Sequence, residues 1–290
     1  MAIRTTLYSD PACPWAYSAT PALTVLRWRY RDQLDWGLVT IGLRDTTDAL
    51  AASGYSTARQ ATGSRRFRDR YGMPFAAAPR ARLVATGRAC RAVVATRLAH
   101  PGREFAALRA LAFAWFNSPL LLDEDQAIAA ALEEVDGIDV RSLVAALDSR
   151  EVSEAYEADK AQARSAAGGP TEFQGKAAVS DGLVRYTAPS VVFEADGRRL
   201  EAGGFQSLEA YDVLLANLDP TMRRLGPPEG PLELLEYFAE GLCTQEVAVL
   251  LADNLIDVDR SAAEDALLAL LAEGRATRTP LGDDAIWRAA

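Results

Sequence analysis

Residues 3–30 read as a strand, a tight turn and a helix with a cysteine at the joint, and few folds accommodate that order. Ile3-Arg4-Thr5-Thr6-Leu7-Tyr8 is a β-branched and aromatic run of strand character. From Ser18 to Tyr30, Leu23, Leu26 and Tyr30 recur at helical spacing. Between them lies Ser9-Asp10-Pro11-Ala12-Cys13-Pro14-Trp15-Ala16-Tyr17. Pro14 suits the first turn of a helix, where a missing N–H costs nothing. Cys13 is thereby placed at a helix N-terminus, where unpaired N–H groups and the helix dipole favour an anion. The expectation is a thiol of lowered pKa and raised nucleophilicity, although a free cysteine is more commonly a small buried hydrophobe. Leu34–Ile41 alternates as a second strand, parallel to the first through the intervening helix.

Asp10-Pro11-x-Cys13-Pro14-Trp15 after a first strand resembles the thioredoxin-like DsbA family, in particular its FrnE-like and 2-hydroxychromene-2-carboxylate isomerase-like branches. Members with dithiol chemistry carry Cys-Pro-Trp-Cys, whereas Ala16 stands here in place of the second cysteine. An internal Cys-x-x-Cys disulfide is therefore excluded. A second segment, Val184-Arg185-Tyr186-Thr187-Ala188-Pro189-Ser190-Val191-Val192-Phe193-Glu194, strengthens the resemblance. It implies that Pro189 is cis and faces Cys13, and that Ala188 offers backbone to an incoming peptide or thiol. Read alone, Pro189 is a proline opening a strand. The resemblance covers roughly residues 1–218.

It implies an α/β, thioredoxin-like fold split by an all-helical insertion. Its halves fall at 1–44 and 169–218, and the insertion at 45–168, where Leu83–Leu98, Glu104–Phe116, Asp123–Glu134 and Val140–Asp148 show helical apolar spacing. Asp196-Gly197 predicts a hairpin and Ser207 caps a helix over Leu208–Leu218. Residues 219–231, rich in proline and glycine, read as a linker to a separate winged-helix-like unit at 232–290. In that unit Thr244 and Ser261 are expected as helix caps, and a hairpin ends at Ala285-Ile286-Trp287.

Nine arginines crowd residues 59–91 against the single acid Asp69. They are read as a solvated face or, more sharply, as an anion-binding rim near Cys13. The 31 basic residues include only Lys160 and Lys176 as lysines, a bias of high-GC bacterial genomes. The net charge of −9 disfavours nucleic acid. The tail holds twelve acids against four arginines, so it is expected to serve packing or homodimerisation and not DNA. The three cysteines lie too far apart for a zinc motif, and His100 is the only histidine, so no metal site is expected. No apolar run approaches the length of a membrane span and no secretion signal opens the chain, which predicts a cytoplasmic protein with reduced thiols.

The favoured reading is a thiol-dependent oxidoreductase with Cys13 as sole nucleophile and Pro14, Trp15, Ala188 and Pro189 holding substrate. No cofactor is tightly bound; the partner is a small-molecule thiol or disulfide, and glutathione or mycothiol resolves the mixed disulfide. Two alternatives stay open. One is a kappa-glutathione-transferase-like or chromene-carboxylate-isomerase-like enzyme, in which the residue activates a bound thiol cofactor. The other is a thioredoxin-fold binding protein without dithiol chemistry.

Overall fold

The computed structural model describes residues 2–252 and 258–290. Strand β1 (Ile3–Ser9) leads into helices α1 (Pro14–Ser18) and α2 (Thr20–Tyr30) and then β2 (Leu34–Thr40). The two strands are parallel, pairing from Ile3 with Leu34 to Ser9 with Thr40. The single helix expected after Cys13 is two helices meeting at Ala19. Pro21, in the first turn of α2, has no N–H to continue the helical ladder across the joint.

The insertion comprises α3 (Asp48–Ala52), α4 (Thr57–Tyr71), α5 (Gly87–Ala99), α6 (Glu104–Asn117), α7 (Asp125–Leu132), α8 (Val140–Ala145), α9 (Arg150–Ala163) and α10 (Pro170–Phe173). Helix α5 starts at Gly87 and not Leu83, because the N–H groups of Thr86 and Gly87 both turn back to Arg44 O at 2.8 and 3.1 Å. Apolar spacing does not announce α4 or α9. Ala61 is the buried residue of α4, and its signals are its ends, with Ser56 accepting from Arg59 N and Gly72 closing it at φ +75°.

Strands β3 (Ala177–Ser180) and β4 (Leu183–Tyr186) form a separate two-stranded sheet. Strands β5 (Ser190–Ala195) and β6 (Arg198–Ala202) join the first pair in a four-stranded sheet of order β2-β1-β5-β6. Thr187–Pro189 separates β4 from β5, which begins at Ser190 directly after Pro189, as expected of a proline that opens a strand. Asp196 and Gly197 both take positive φ, 50° and 72°, in the tight turn between β5 and β6. Helix α11 (Leu208–Leu218) follows, capped by Ser207. Together these elements make the α/β, thioredoxin-like unit with its helical insertion.

The remaining elements are α12 (Pro231–Tyr237), β7 (Leu242–Cys243), α13 (Thr244–Leu251), α14 (Arg260–Ala272), β8 (Ala276–Leu281) and β9 (Asp284–Ala289), with sheet order β7-β9-β8. Two expected caps shift. Cys243 occupies the cap of α13 while the Thr244 hydroxyl bonds Asp284, and Asp259, not Ser261, caps α14 by accepting from Ala262 N. These elements pack against the main core. Leu235, Cys243, Val247 and Trp287 belong to the same buried apolar cluster as Leu7, Leu26 and Leu111. The proline-rich connection is also tied down, since Leu225 N donates to Arg29 O at 3.0 Å and Trp28 Nε1 to Gly226 O at 2.9 Å.

At the centre of this junction Glu246, fully buried, accepts from Arg109 at 2.7 and 2.6 Å and from Thr24 Oγ1 at 2.9 Å. Burial alone would raise its carboxyl pKa. The Arg109 guanidinium, with hydrogen bonds from Cys243 N and Thr24, outweighs burial and holds it below the usual carboxylate range. No helix among the described residues is long and apolar enough to cross a membrane.

Candidate active site

Cys13 lies at the end of a turn that Asp10 organises. Cys13 N donates to Asp10 O at 3.0 Å and Ala12 N to Asp10 Oδ1 at 2.9 Å. Cys13 then adopts φ −86° and ψ 113° as the residue that caps α1, with Pro14 opening the helix. The Ala188–Pro189 peptide bond is cis. Across the fold, the Cys13 Sγ–H donates to Ala188 O at 3.1 Å. The structure therefore brings Cys13, Pro14, Ala188 and the adjoining Pro189 together from segments about 175 residues apart.

Cys13 is only 5% exposed and belongs to a small apolar cluster of its own, with Tyr8, Ala16, Tyr186, Ala188 and Val192. That environment reverses the expected electrostatics. Burial pushes the thiol up to about 11, and the buried carboxylate of Asp10 adds to the rise. The N–H groups of Ala16 and Trp15 and the Arg185 guanidinium pull the other way and are outweighed. The expectation of a lowered pKa is corrected on this point. A helix of five residues offers a short dipole, and desolvation of the thiolate exceeds it.

Trp15 departs from the cluster and is 44% exposed. Its ring meets Phe67 edge-on at 4.9 Å, Phe205 at 5.8 Å and Tyr71 at 6.0 Å. Phe67 and Tyr71 bring α4 against α1, so the arginine-rich helix borders the site. Arg65, Arg66 and Arg70 of α4 are exposed. Arg82 and Arg88 instead pair with Asp123, Glu124, Asp125 and Asp148 on the helical insertion. The loop carrying Phe205 is tied to the cis-proline loop, because Gly204 N donates to Ser190 Oγ at 3.0 Å and that hydroxyl donates to Thr187 O at 2.7 Å.

Sequence reasoning passed over Asp10, Arg185 and the aromatic rim. Asp10 had a signal in its place within the cysteine motif, and Phe205 a weaker one after Gly203-Gly204. Phe67, Tyr71 and Arg185 had none. Asp10 is buried and also accepts from Leu43 N at 2.9 Å, Thr86 Oγ1 at 3.2 Å and the Cys90 thiol at 3.3 Å. All three cysteines are free and buried. Cys243 packs against Met73 at 3.6 Å, and His100 accepts from Asp139 N at 3.2 Å.

A strand–turn–helix thiol facing a cis-proline loop, with helices inserted between two halves of one sheet, defines a thioredoxin-fold protein of the helical-insertion class. Residues 5–186 match the DSBA-like thioredoxin domain, and the chain belongs to that family. Several solved structures share the fold, among them the following three. A candidate protein disulfide isomerase from Nitrosomonas europaea is 19% identical, with a TM-score of 0.54 over 75% of this chain and 97% of its own. A probable DsbA oxidoreductase from Streptomyces coelicolor is 18% identical, at 0.53 over 77% and 92%. The cytosolic disulfide reductase DsbM from Pseudomonas aeruginosa is 16% identical, at 0.52 over 74% and 99%, and has also been solved with GSH. At these identities the likeness is one of fold. No curated protein matches the chain by sequence.

Proposed function

We propose that the chain is a thiol-dependent oxidoreductase that exchanges disulfides through the single thiol of Cys13. The observation that carries this reading is the placement of the Cys13 sulfur 3.1 Å from Ala188 O beside the cis peptide. A docked thiol or peptide backbone would there meet both the sulfur and the backbone of the cis-proline loop. The Cys13 thiolate attacks one sulfur of a disulfide, forms a mixed disulfide and releases the other sulfur as thiolate. With Ala16 in the partner position, an external low-molecular-weight thiolate must attack the mixed disulfide, restoring Cys13 and leaving with the bound half. Glutathione or mycothiol fits this role, and the DsbM structure with GSH supports the choice. Pro14, Trp15, Ala188 and Pro189 are the residues that would hold the substrate. The reading places the protein in a reducing, cytoplasmic compartment.

One observation favours a second reading. The Cys13 thiol is a buried proton donor with its pKa pushed up to about 11. Such a group is suited to hydrogen-bond the thiolate of a bound thiol cofactor without being turned over. Intact-mass analysis after exposure to oxidised glutathione separates the two. Disulfide exchange requires one glutathione adduct on Cys13, absent in Cys13→Ser, removed by excess reduced thiol and collapsing to an internal disulfide in Ala16→Cys. Retention of thiol-dependent activity in Cys13→Ser, where a hydroxyl still donates, would establish the cofactor-activating reading instead.

A further inference from the structure

Arg185 stands in β4, three residues before the Ala188 carbonyl that accepts from Cys13. It lies between Val184 and Tyr186, which pack with the apolar cluster around the sulfur. Its guanidinium is half-buried and fixed at two points. Nε donates to Ser180 Oγ at 2.7 Å and Nη1 to Tyr186 O at 2.9 Å. Nη2 makes no hydrogen bond among the described residues and stays open to solvent.

A cation drawn partly out of water normally has an anion against it. Among the described residues no carboxylate forms an ion pair with Arg185. Asp181 holds Arg164 at 2.8 Å, and Asp10 accepts from the Ala12 and Leu43 N–H groups, the Thr86 hydroxyl and the Cys90 thiol. Burial and then the like charge of Arg164 lower the Arg185 pKa, while Arg185 itself lies close enough to Cys13 to favour its thiolate. An oriented, charged donor without a counter-ion therefore stands beside the sulfur. We propose that Arg185 receives a carboxylate of the substrate, so that the disulfide exchanged at Cys13 is a carboxylate-bearing one, such as that of cysteine or a short cysteinyl peptide. The inference rests on the disulfide-exchange reading above. When the mixed disulfide forms, the half bound to Cys13 keeps its carboxylate on Arg185, and the other half leaves as thiolate.

The test compares dithiodipropionate with its diamide, which share a skeleton and differ in charge. Adduct formation on Cys13 of the full chain is followed by intact mass, each rate being normalised to that with free mercaptoethanol. Salt at about 1 M screens the exposed Arg65, Arg66 and Arg70 far more than a half-buried guanidinium. Under those conditions the dicarboxylate should react about tenfold faster than the diamide. In Arg185→Gln both reactions should slow, through weaker support of the thiolate, and the preference should also vanish. Ser180→Ala keeps the charge but frees Nε, and should lower the preference about two- to threefold. If Arg185→Gln does not fold, Ser180→Ala decides, and an unchanged preference there overturns the proposal. Equal rates in the native chain, or a preference that survives in folded Arg185→Gln, would overturn it while leaving exchange at Cys13 intact. Failure of both disulfides to modify Cys13 would instead overturn exchange itself, and this inference with it.

Discussion

Cys13 sits where a helix N-terminus and an apolar cluster act on the same sulfur in opposite directions. With the thiol pushed up to about 11, only roughly one part in ten thousand is thiolate at pH 7. The sign is fixed by the direction of the shift. The reactive, charged form is disfavoured in the folded protein, so reactivity must climb as pH approaches the folded pKa. Alkylation of native Cys13 by iodoacetamide should therefore rise about tenfold per pH unit from 7 to 10 without levelling off. A plateau below pH 9 would show a thiolate that burial does not suppress. Arg185→Ala removes a cation that favours the thiolate and should slow alkylation by roughly two- to fivefold at fixed pH. At this scale the sequence reveals which residues meet but not how they titrate. Cys13, Pro14 and Pro189 are marked by residue type and local order. The Tyr8, Tyr186 and Val192 side chains that desolvate the sulfur come from three strands in two sheets, and their convergence is a property of the assembled fold.

At the scale of elements, α4 decides what approaches the thiol. Its aromatic residues Phe67 and Tyr71 pack on Trp15, and the exposed Arg65, Arg66 and Arg70 neighbour them in sequence. If these arginines steer anions, reaction of Cys13 with oxidised glutathione should slow markedly as salt shortens the screening length from ~10 Å at 0.1 M to ~3 Å at 1 M. A neutral disulfide should be indifferent to salt, and the difference should vanish in Arg65→Glu/Arg66→Glu. Equal salt responses in the native chain would leave α4 as ordinary surface. This helix also shows where pattern reading runs out. Periodicity finds α6 to within a residue because Ala107, Leu111 and Trp115 recur on a buried face. Helix α4 has no such stripe, for it meets the protein through Ala61, Phe67, Tyr71 and an Arg68–Asp283 pair and leaves Arg65, Arg66 and Arg70 to solvent. Pro189 marks the start of β5, but nothing in the sequence says that β4 belongs to a different sheet.

For the whole molecule, the buried Arg109–Glu246 pair joins the insertion to the C-terminal elements, with Thr24 of α2 as a third member. Arg109→Ala would strand a buried carboxylate and should cost about 3–5 kcal/mol, read as a lowered urea midpoint. Arg109→Met with Glu246→Leu should recover most of that loss, because paired removal leaves no orphaned charge. Glu246 is held below the usual carboxylate range, so its contribution is complete above that range and is lost as pH falls through its folded value. The single arginine variant should accordingly lose much of its destabilisation in acid, where Glu246 is neutral. The C-terminal elements carry a net charge of −8 across residues 231–290 and should not retain duplex DNA on a column run with the full chain. Salt-sensitive retention would contradict that.

The seating of α13 against α2 also has a consequence for how the protein is made. Thr24 and Glu246 are 222 residues apart. At ~5–20 residues per second, a ribosome needs roughly 10 to 45 s to travel that distance. For most of that interval the N-terminal strand and helix are outside the exit tunnel while their closing partner is unsynthesised. The nascent chain must wait with an apolar flank uncovered, which makes it a natural client for a holding chaperone. Release before α13 emerges would yield an aggregation-prone fragment and not a smaller working enzyme.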